Sequence, residues 1–176
     1  MIEHYIRGFE EELREIRHQI HENPELGLQE FKTSALVAEK LRQWGYEVEQ
    51  GLATTGVVAT LKVGDGEKSI GLRADMDALP IYENSGKPWA SKHPGLMHAC
   101  GHDGHTAALL VAMRLLTRWR DRFDGTVLFL FESGEELPGT IPEVSAMLRD
   151  RKPDRLFALH VWNELESGKI CIDAGP

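Results

Sequence analysis

Apolar residues recur at helical spacing near the start of the chain. Phe9, Leu13, Ile16 and Ile20 form one stripe with Glu and Arg between them, the pattern of an amphipathic helix, and Pro24 ends it. A second helix is expected over about residues 30–44, with Phe31, Ala35, Ala38 and Leu41 facing inward and Gly45 as the C-terminal stop. The period then shortens. Residues 46–49 alternate, 56–63 and 69–74 read as strands, and Gly64-Asp65-Gly66 marks the turn between the last two. That Gly-x-Gly lacks the third glycine of a dinucleotide fingerprint. Residues 81–96 carry Asn84, Gly86, Pro88, Pro94 and Gly95 and read as an irregular loop.

A third helix is expected over 106–119. Its first half, 107–113, is apolar nearly all round and should be buried. Residues 125–131, Gly-Thr-Val-Leu-Phe-Leu-Phe, form a continuous apolar run, as in a strand covered on both faces. A helix over 142–149, a strand over 156–161 and a last strand over 168–173 complete the pattern. The order α, α, β, β, β, α, β, α, β, β predicts an α/β fold. Its sheet should be mixed, largely parallel and flanked by helices, with a ligand site where strands end.

The chain has 176 residues, enough for one domain with a core. A formal charge of −8 argues against a nucleic-acid partner. No apolar run is long enough to span a bilayer, and the N-terminus lacks a signal-peptide pattern, so a cytoplasmic protein with no membrane partner is expected. A reducing compartment argues against a Cys100–Cys171 disulfide. Cys171, within the alternating 169–173 stretch, reads as a small core residue. Without a Cys-x-x-Cys, a thiol redox function is a poor reading.

The chemistry concentrates in 97–106, Met-His-Ala-Cys-Gly-His-Asp-Gly-His-Thr. One thiol, three imidazoles and a carboxylate lie within ten residues, and these are the side chains that bind zinc-like cations. Three strand ends add to it. The strand at 69–74 runs into Asp75-Met76-Asp77, two carboxylates pointing to one side of an extended chain; the alternative is a turn stabilised by Asp side chains. The strand at 125–131 runs into Glu135-Glu136, neighbours that can serve as one metal ligand and one general base. The strand at 156–161 carries His160 near its end.

These residues resemble the amidohydrolase branch of the aminoacylase/carboxypeptidase metallohydrolases, which includes hippurate hydrolases, N-acetyl-diaminopimelate deacetylases and auxin-conjugate hydrolases. The resemblance rests on Gly71-Leu72-Arg73-Ala74-Asp75-Met76-Asp77-Ala78-Leu79-Pro80, the 97–106 block, Glu135-Glu136 and Leu159-His160, with His21-Glu22-Asn23-Pro24-Glu25-Leu26-Gly27 resembling the N-terminal signature. It implies two divalent metal ions, zinc or manganese, with Cys100, His102, Glu136 and His160 as ligands and Glu135 as catalytic base. In the wider superfamily the place of Asp75-Met76-Asp77 reads His-x-Asp, with the histidine a ligand. Asp75 and Asp77 are therefore expected to orient the ligands, with Asp103 and His105 as weaker candidates for the same role. The implied reaction is hydrolysis of an N-acyl amino acid to a carboxylic acid and a free amino acid, through a metal-bound water. The alternative is a metal-binding fragment that needs a second chain or is inactive.

Two departures stand out. Leu137-Pro138-Gly139-Thr140 replaces the glycine-rich run usual after the Glu-Glu pair, and Glu132-Ser133-Gly134 stands where Gln-Pro-Ala is common. Members are also about twice as long, with an inserted lid and dimerisation domain and a returning segment that carries a last histidine ligand. Residues 1–176 are thus expected to be the N-terminal part of a catalytic domain whose full-length relatives are homodimers, with the lid/dimerisation domain and the C-terminal catalytic segment absent.

Overall fold

The computed structural model describes residues 2–148 and 151–172. Its elements are α1 (Ile2–Arg7), α2 (Glu10–His21), α3 (Phe31–Gln43), β1 (Glu47–Leu52), β2 (Gly56–Val63), β3 (Ser69–Asp75), α4 (His102–Arg118), β4 (Gly125–Glu132), α5 (Ile141–Leu148) and β5 (Arg155–Ala158). One five-stranded sheet runs in the order β1-β2-β4-β3-β5. The pairs β1–β2 and β2–β4 are antiparallel, and β4–β3 and β3–β5 are parallel. The sheet is mixed and helix-flanked, with a larger antiparallel share than the alternation of elements implied.

β4 explains the layering. Val127, Phe129 and Phe131 point to one face, where they join Ile16 and Ile20 of α2, Val37, Ala38 and Leu41 of α3, and Leu110 and Met113 of α4. Leu128 and Leu130 point to the other, against Val58 and Met147 of α5. Covering both faces is what a continuous apolar strand requires. No described helix is long and apolar enough to cross a membrane.

Several expectations change. The first helical segment, α1, carried no strong periodic signal and was not expected. α3 keeps Ala38 and Leu41 of the expected stripe inward but adds Thr33, Ser34 and Val37, while Phe31 is 61% exposed and Ala35 is exposed. The polar residues win this position because they have partners. Glu25 accepts from the Thr33 N–H at 2.9 Å and from its hydroxyl at 3.1 Å, and Ser34 Oγ accepts from Gln50 Nε2 at 3.3 Å. Gly45 does end this helix, at φ +82°. Of the expected helix over 142–149, Arg149 lies outside the described residues.

The last expected strand is not formed. Residues 168–172 are turn and irregular chain, with Ile170 and Ile172 78% and 91% exposed, and Asp173 lies outside the described residues. Alternation makes a strand only where a neighbouring edge takes up its backbone hydrogen bonds. β5 is the sheet edge, and among the described residues no strand pairs with its outer side. For the same reason Cys171 is exposed, not a core residue. β5 itself is shorter than expected and exposed throughout, leaving His160 two residues beyond its end.

Candidate metal centre

Three strand ends and one helix start meet here. Parallel pairing sets Asp75 of β3 beside Glu132 of β4, and the Met76 N–H donates to the Glu132 carbonyl at 3.0 Å. The chain then departs from β3 through Asp77 and from β4 through a turn at Gly134, φ +66°. α4 starts at His102, four residues before the expected start, because Gly101 takes a left-handed conformation at φ +87° that redirects the chain into the helix. His102, Asp103, His105 and Thr106 therefore sit in the first turns of α4 and are buried there. Thr106 Oγ1 donates to the Asp75 carbonyl at 2.8 Å, locking helix to strand.

His102 is at the centre and is fully buried. Its Nδ1 lies 3.1 Å from Asp77 Oδ1, a bond in which the ring must donate to the carboxylate. Among the described residues its Nε2 has no hydrogen-bond partner. Around that nitrogen stand Asp75 Oδ2 at 3.7 Å, Glu135 Oε2 at 3.8 Å and Glu136 Oε1 at 3.8 Å. Those distances are too long for hydrogen bonds and short enough for a shared cation. On the other side, Cys100 Sγ is 3.3 Å from His160 Nε2, while His160 Nδ1 donates to the Val161 carbonyl at 2.6 Å. Cys100, His102 and His160 offer ligand atoms within 4.8 Å of one another, and so do His102, Glu135 and Glu136.

Asp77 holds two of these groups. While Oδ1 takes the His102 ring, Oδ2 accepts the Glu136 backbone N–H at 2.9 Å. His105 is committed differently. Its Nε2 accepts the Val161 N–H at 2.9 Å, so its proton is on Nδ1, which donates to Asp75 Oδ1 at 2.6 Å. With both nitrogens engaged, it bridges β3 to the backbone just after His160. Asp103 does not join this group. Its Oδ2 accepts from Arg17 Nε at 2.9 Å and lies 2.8 Å from His21 Nδ1, and His21 in turn reaches Glu83 at 3.3 Å. It anchors α4 to α2.

The fields follow from this crowding. Burial opposes a charged His102 ring, but Asp77 and Asp75, with Glu135, outweigh it and raise its pKa. Burial works to raise Asp75, yet His105, His102 and Arg73 outweigh it and lower its pKa. Burial, then the Glu136 carboxylate, pushes the Cys100 thiol up to about 12. Burial, then Asp75, raises Glu135. An excess of carboxylates around a buried, unpartnered imidazole nitrogen fits a divalent cation, and both His102 and His160 have the N–H opposite Nε2 fixed by an acceptor, as metal-binding imidazoles do.

Sequence reasoning missed two groups here. Arg73, a cation inside an otherwise apolar strand, pairs with Asp75 at 2.8 Å and with Glu132. Glu30 reaches the Gly134 turn from the start of α3. The His21–Gly27 segment lies against the site: the Ala78 N–H donates to the Glu25 carbonyl at 2.8 Å, one residue past Asp77.

Comparison with known proteins places the chain among metallohydrolases. The model of peptidase family M20/M25/M40 matches residues 71–175. A hippurate hydrolase of Campylobacter jejuni is 51% identical over 159 residues, covering 89% of this chain and 40% of that protein. An N-acyl-L-amino acid amidohydrolase of Geobacillus stearothermophilus is 44% identical, with 91% and 44% covered. Among solved structures, the YXEP protein of Bacillus subtilis, described as a dinuclear metal-binding peptidase of the M20 family, superposes with a TM-score of 0.82 at 36% identity. It covers 90% of this chain and 45% of that one. The chain thus spans 40–44% of the length of these two curated relatives.

Proposed function

The chain belongs to peptidase family M20/M25/M40, and from that premise we propose that it is a metal-dependent amidohydrolase of N-acyl amino acids, hippurate-like or N-acetylated. The observation that carries this is the buried His102 Nε2 facing three carboxylates, with the Cys100–His160 pair beside it. Cys100, His102, Glu136 and His160 would hold two divalent ions, zinc or manganese. When bound, such ions supply Lewis acidity, which makes water a nucleophile near neutral pH and steadies charge on an amide oxygen. Glu135 takes the proton from water at its carboxylate and returns it to the leaving amine nitrogen. Asp77 keeps the His102 proton on Nδ1 and fixes the Glu136 backbone; Asp75, held by Arg73 and His105, keeps a fixed negative charge beside them.

The test is release of free amino acid from hippurate and N-acetyl amino acids by this chain with zinc or manganese. Turnover is the expected result. A second reading, a metal-binding part that needs further polypeptide for turnover, is favoured by the apolar side chains that β5 and its extension leave exposed: Phe157, Leu159 and Trp162. Bound metal without turnover would select it. A chain that binds no metal would sink both.

Metal binding must also be coupled to pH. The Cys100 thiol stays protonated throughout the neutral range, and a ligand must be the thiolate, so one proton leaves on binding. Apparent zinc affinity should rise about tenfold per pH unit near neutrality. It should rise more steeply below the raised pKa of His102, where a second proton must leave. Competition titrations against a chelator at several pH values measure this; a flat profile would remove Cys100 from the ligand set.

A further inference from the structure

The turn that carries Glu135 and Glu136 is gripped from below by a group the mechanism above does not use. Glu30, immediately before α3, is 0% exposed. Its Oε1 accepts the Gly134 N–H at 2.7 Å and its Oε2 accepts the Thr55 hydroxyl at 2.5 Å. Thr55 follows a hairpin between β1 and β2 in which two successive non-glycine residues, Ala53 and Thr54, hold positive φ of 45° and 81°. Side chains resist that conformation, and it persists only where the surroundings hold it. The same hairpin makes a second link to the turn: Ser133 Oγ donates to the Ala53 carbonyl at 2.6 Å. From above, Thr140 Oγ1 donates to the Gly134 carbonyl at 2.9 Å. A fully buried carboxylate is costly unless its oxygens are satisfied. Here each oxygen reaches a different segment, and one of them ends in the metal centre.

We propose that Glu30 is a positioning residue that clamps the 133–136 turn to the strained 53–55 hairpin and so sets where Glu135 and Glu136 project toward His102. This rests on the metal-centre reading above. Reach is what matters in such a clamp. A glutamine keeps it, because its amide oxygen accepts from Gly134 and its NH2 can donate to the Thr55 hydroxyl. An aspartate keeps the charge and is one methylene too short to span both partners.

The test is the affinity of the chain for cobalt(II) and the visible spectrum of the cobalt form, with circular dichroism confirming that each variant is folded. Glu30→Gln should bind within a few-fold of the unmodified chain and share its spectrum. Glu30→Asp and Glu30→Ala should bind about tenfold more weakly with an altered ligand-field pattern, since the Glu136 side chain is no longer held in place. Thr55→Val keeps the volume, deletes one bond and should shift the same way by a smaller amount; it decides the matter if Glu30→Ala does not fold. Folded variants that lose thermal stability with unchanged affinity and spectrum would overturn the clamp. So would a Glu30→Asp that binds normally while Glu30→Gln does not. An unmodified chain that binds no cobalt overturns the functional reading and this one with it, whereas normal binding by every variant overturns this one alone.

Discussion

Replacing Glu135 with glutamine is expected to lower turnover of N-acyl amino acids by about 10²–10⁴-fold, the usual contribution of a positioned general base, while metal affinity stays within a few-fold. The two adjacent glutamates differ in how they are held. The Glu136 backbone N–H is bonded to Asp77, which also holds the His102 ring, so Glu136 is built into the ligand scaffold. Among the described residues Glu135 has no such tie, and 39% of its side chain is exposed. Its pKa is raised by burial and by Asp75, against the pull of His102 and Arg73, which brings a carboxylate closer to the range useful for taking up and returning a proton. The sign follows: a base must be deprotonated, so turnover should rise with pH through this raised pKa and level off above it. Glutamine has the same shape and cannot accept the proton. Kinetics and metal content measured on the same variant test the assignment. If metal affinity collapses together with turnover, Glu135 is a ligand and the roles of the pair are exchanged.

What could be read from residue order alone was whatever depends on near neighbours. The span of β2 and the doubly covered β4 follow from apolar patterning, and the clustering of chemistry at the ends of β3, β4 and β5 follows from where those strands stop. The start of α4 did not, because the 102–105 stretch looks like a polar loop until Gly101 is seen to take φ +87° and turn it into the first turn of the helix. The inward face of α3 followed only at Ala38 and Leu41. Phe31 looks like a core residue and Thr33 does not, and only the Glu25 carboxylate reverses that order. Within the site, the resemblance implies that Asp75 and Asp77 orient the ligands, with Asp103 and His105 as weaker candidates; in the structure Asp77 meets His102 and His105 meets the backbone after His160. Asp103 shares that proximity but points away, toward Arg17 and His21. Glu30 was invisible because its partner, Gly134, lies 104 positions away. A periodic pattern also needs a partner before it becomes structure, as the alternating 168–172 stretch shows beside the edge strand β5.

Asp77→Asn is expected to weaken metal binding by about 10–100-fold while leaving the fold intact, the range typical when a partner that orients a ligand is lost. The reason lies in donor and acceptor bookkeeping. Asp77 is acceptor-only and faces two donors, the His102 Nδ1–H and the Glu136 backbone N–H. Asparagine has one acceptor oxygen. The backbone N–H cannot reverse its polarity, so it keeps the oxygen, and the new NH2 group is turned toward His102 Nδ1. That nitrogen must then become the acceptor, which moves the ring proton to Nε2, the atom aimed at Asp75, Glu135 and Glu136. The imidazole lone pair that would hold the ion is thereby removed without moving a heavy atom. The loss of the nearby negative charge also weakens the electrostatic attraction for a divalent cation beside the ring. Nitrogen-15 chemical shifts of the His102 ring report the tautomer directly, and a zinc competition titration reports the affinity. A swapped tautomer with reduced affinity is the expected pair of results. Unchanged affinity despite a swapped tautomer would remove His102 Nε2 from the ligand set and leave the centre to Cys100, His160 and the carboxylates.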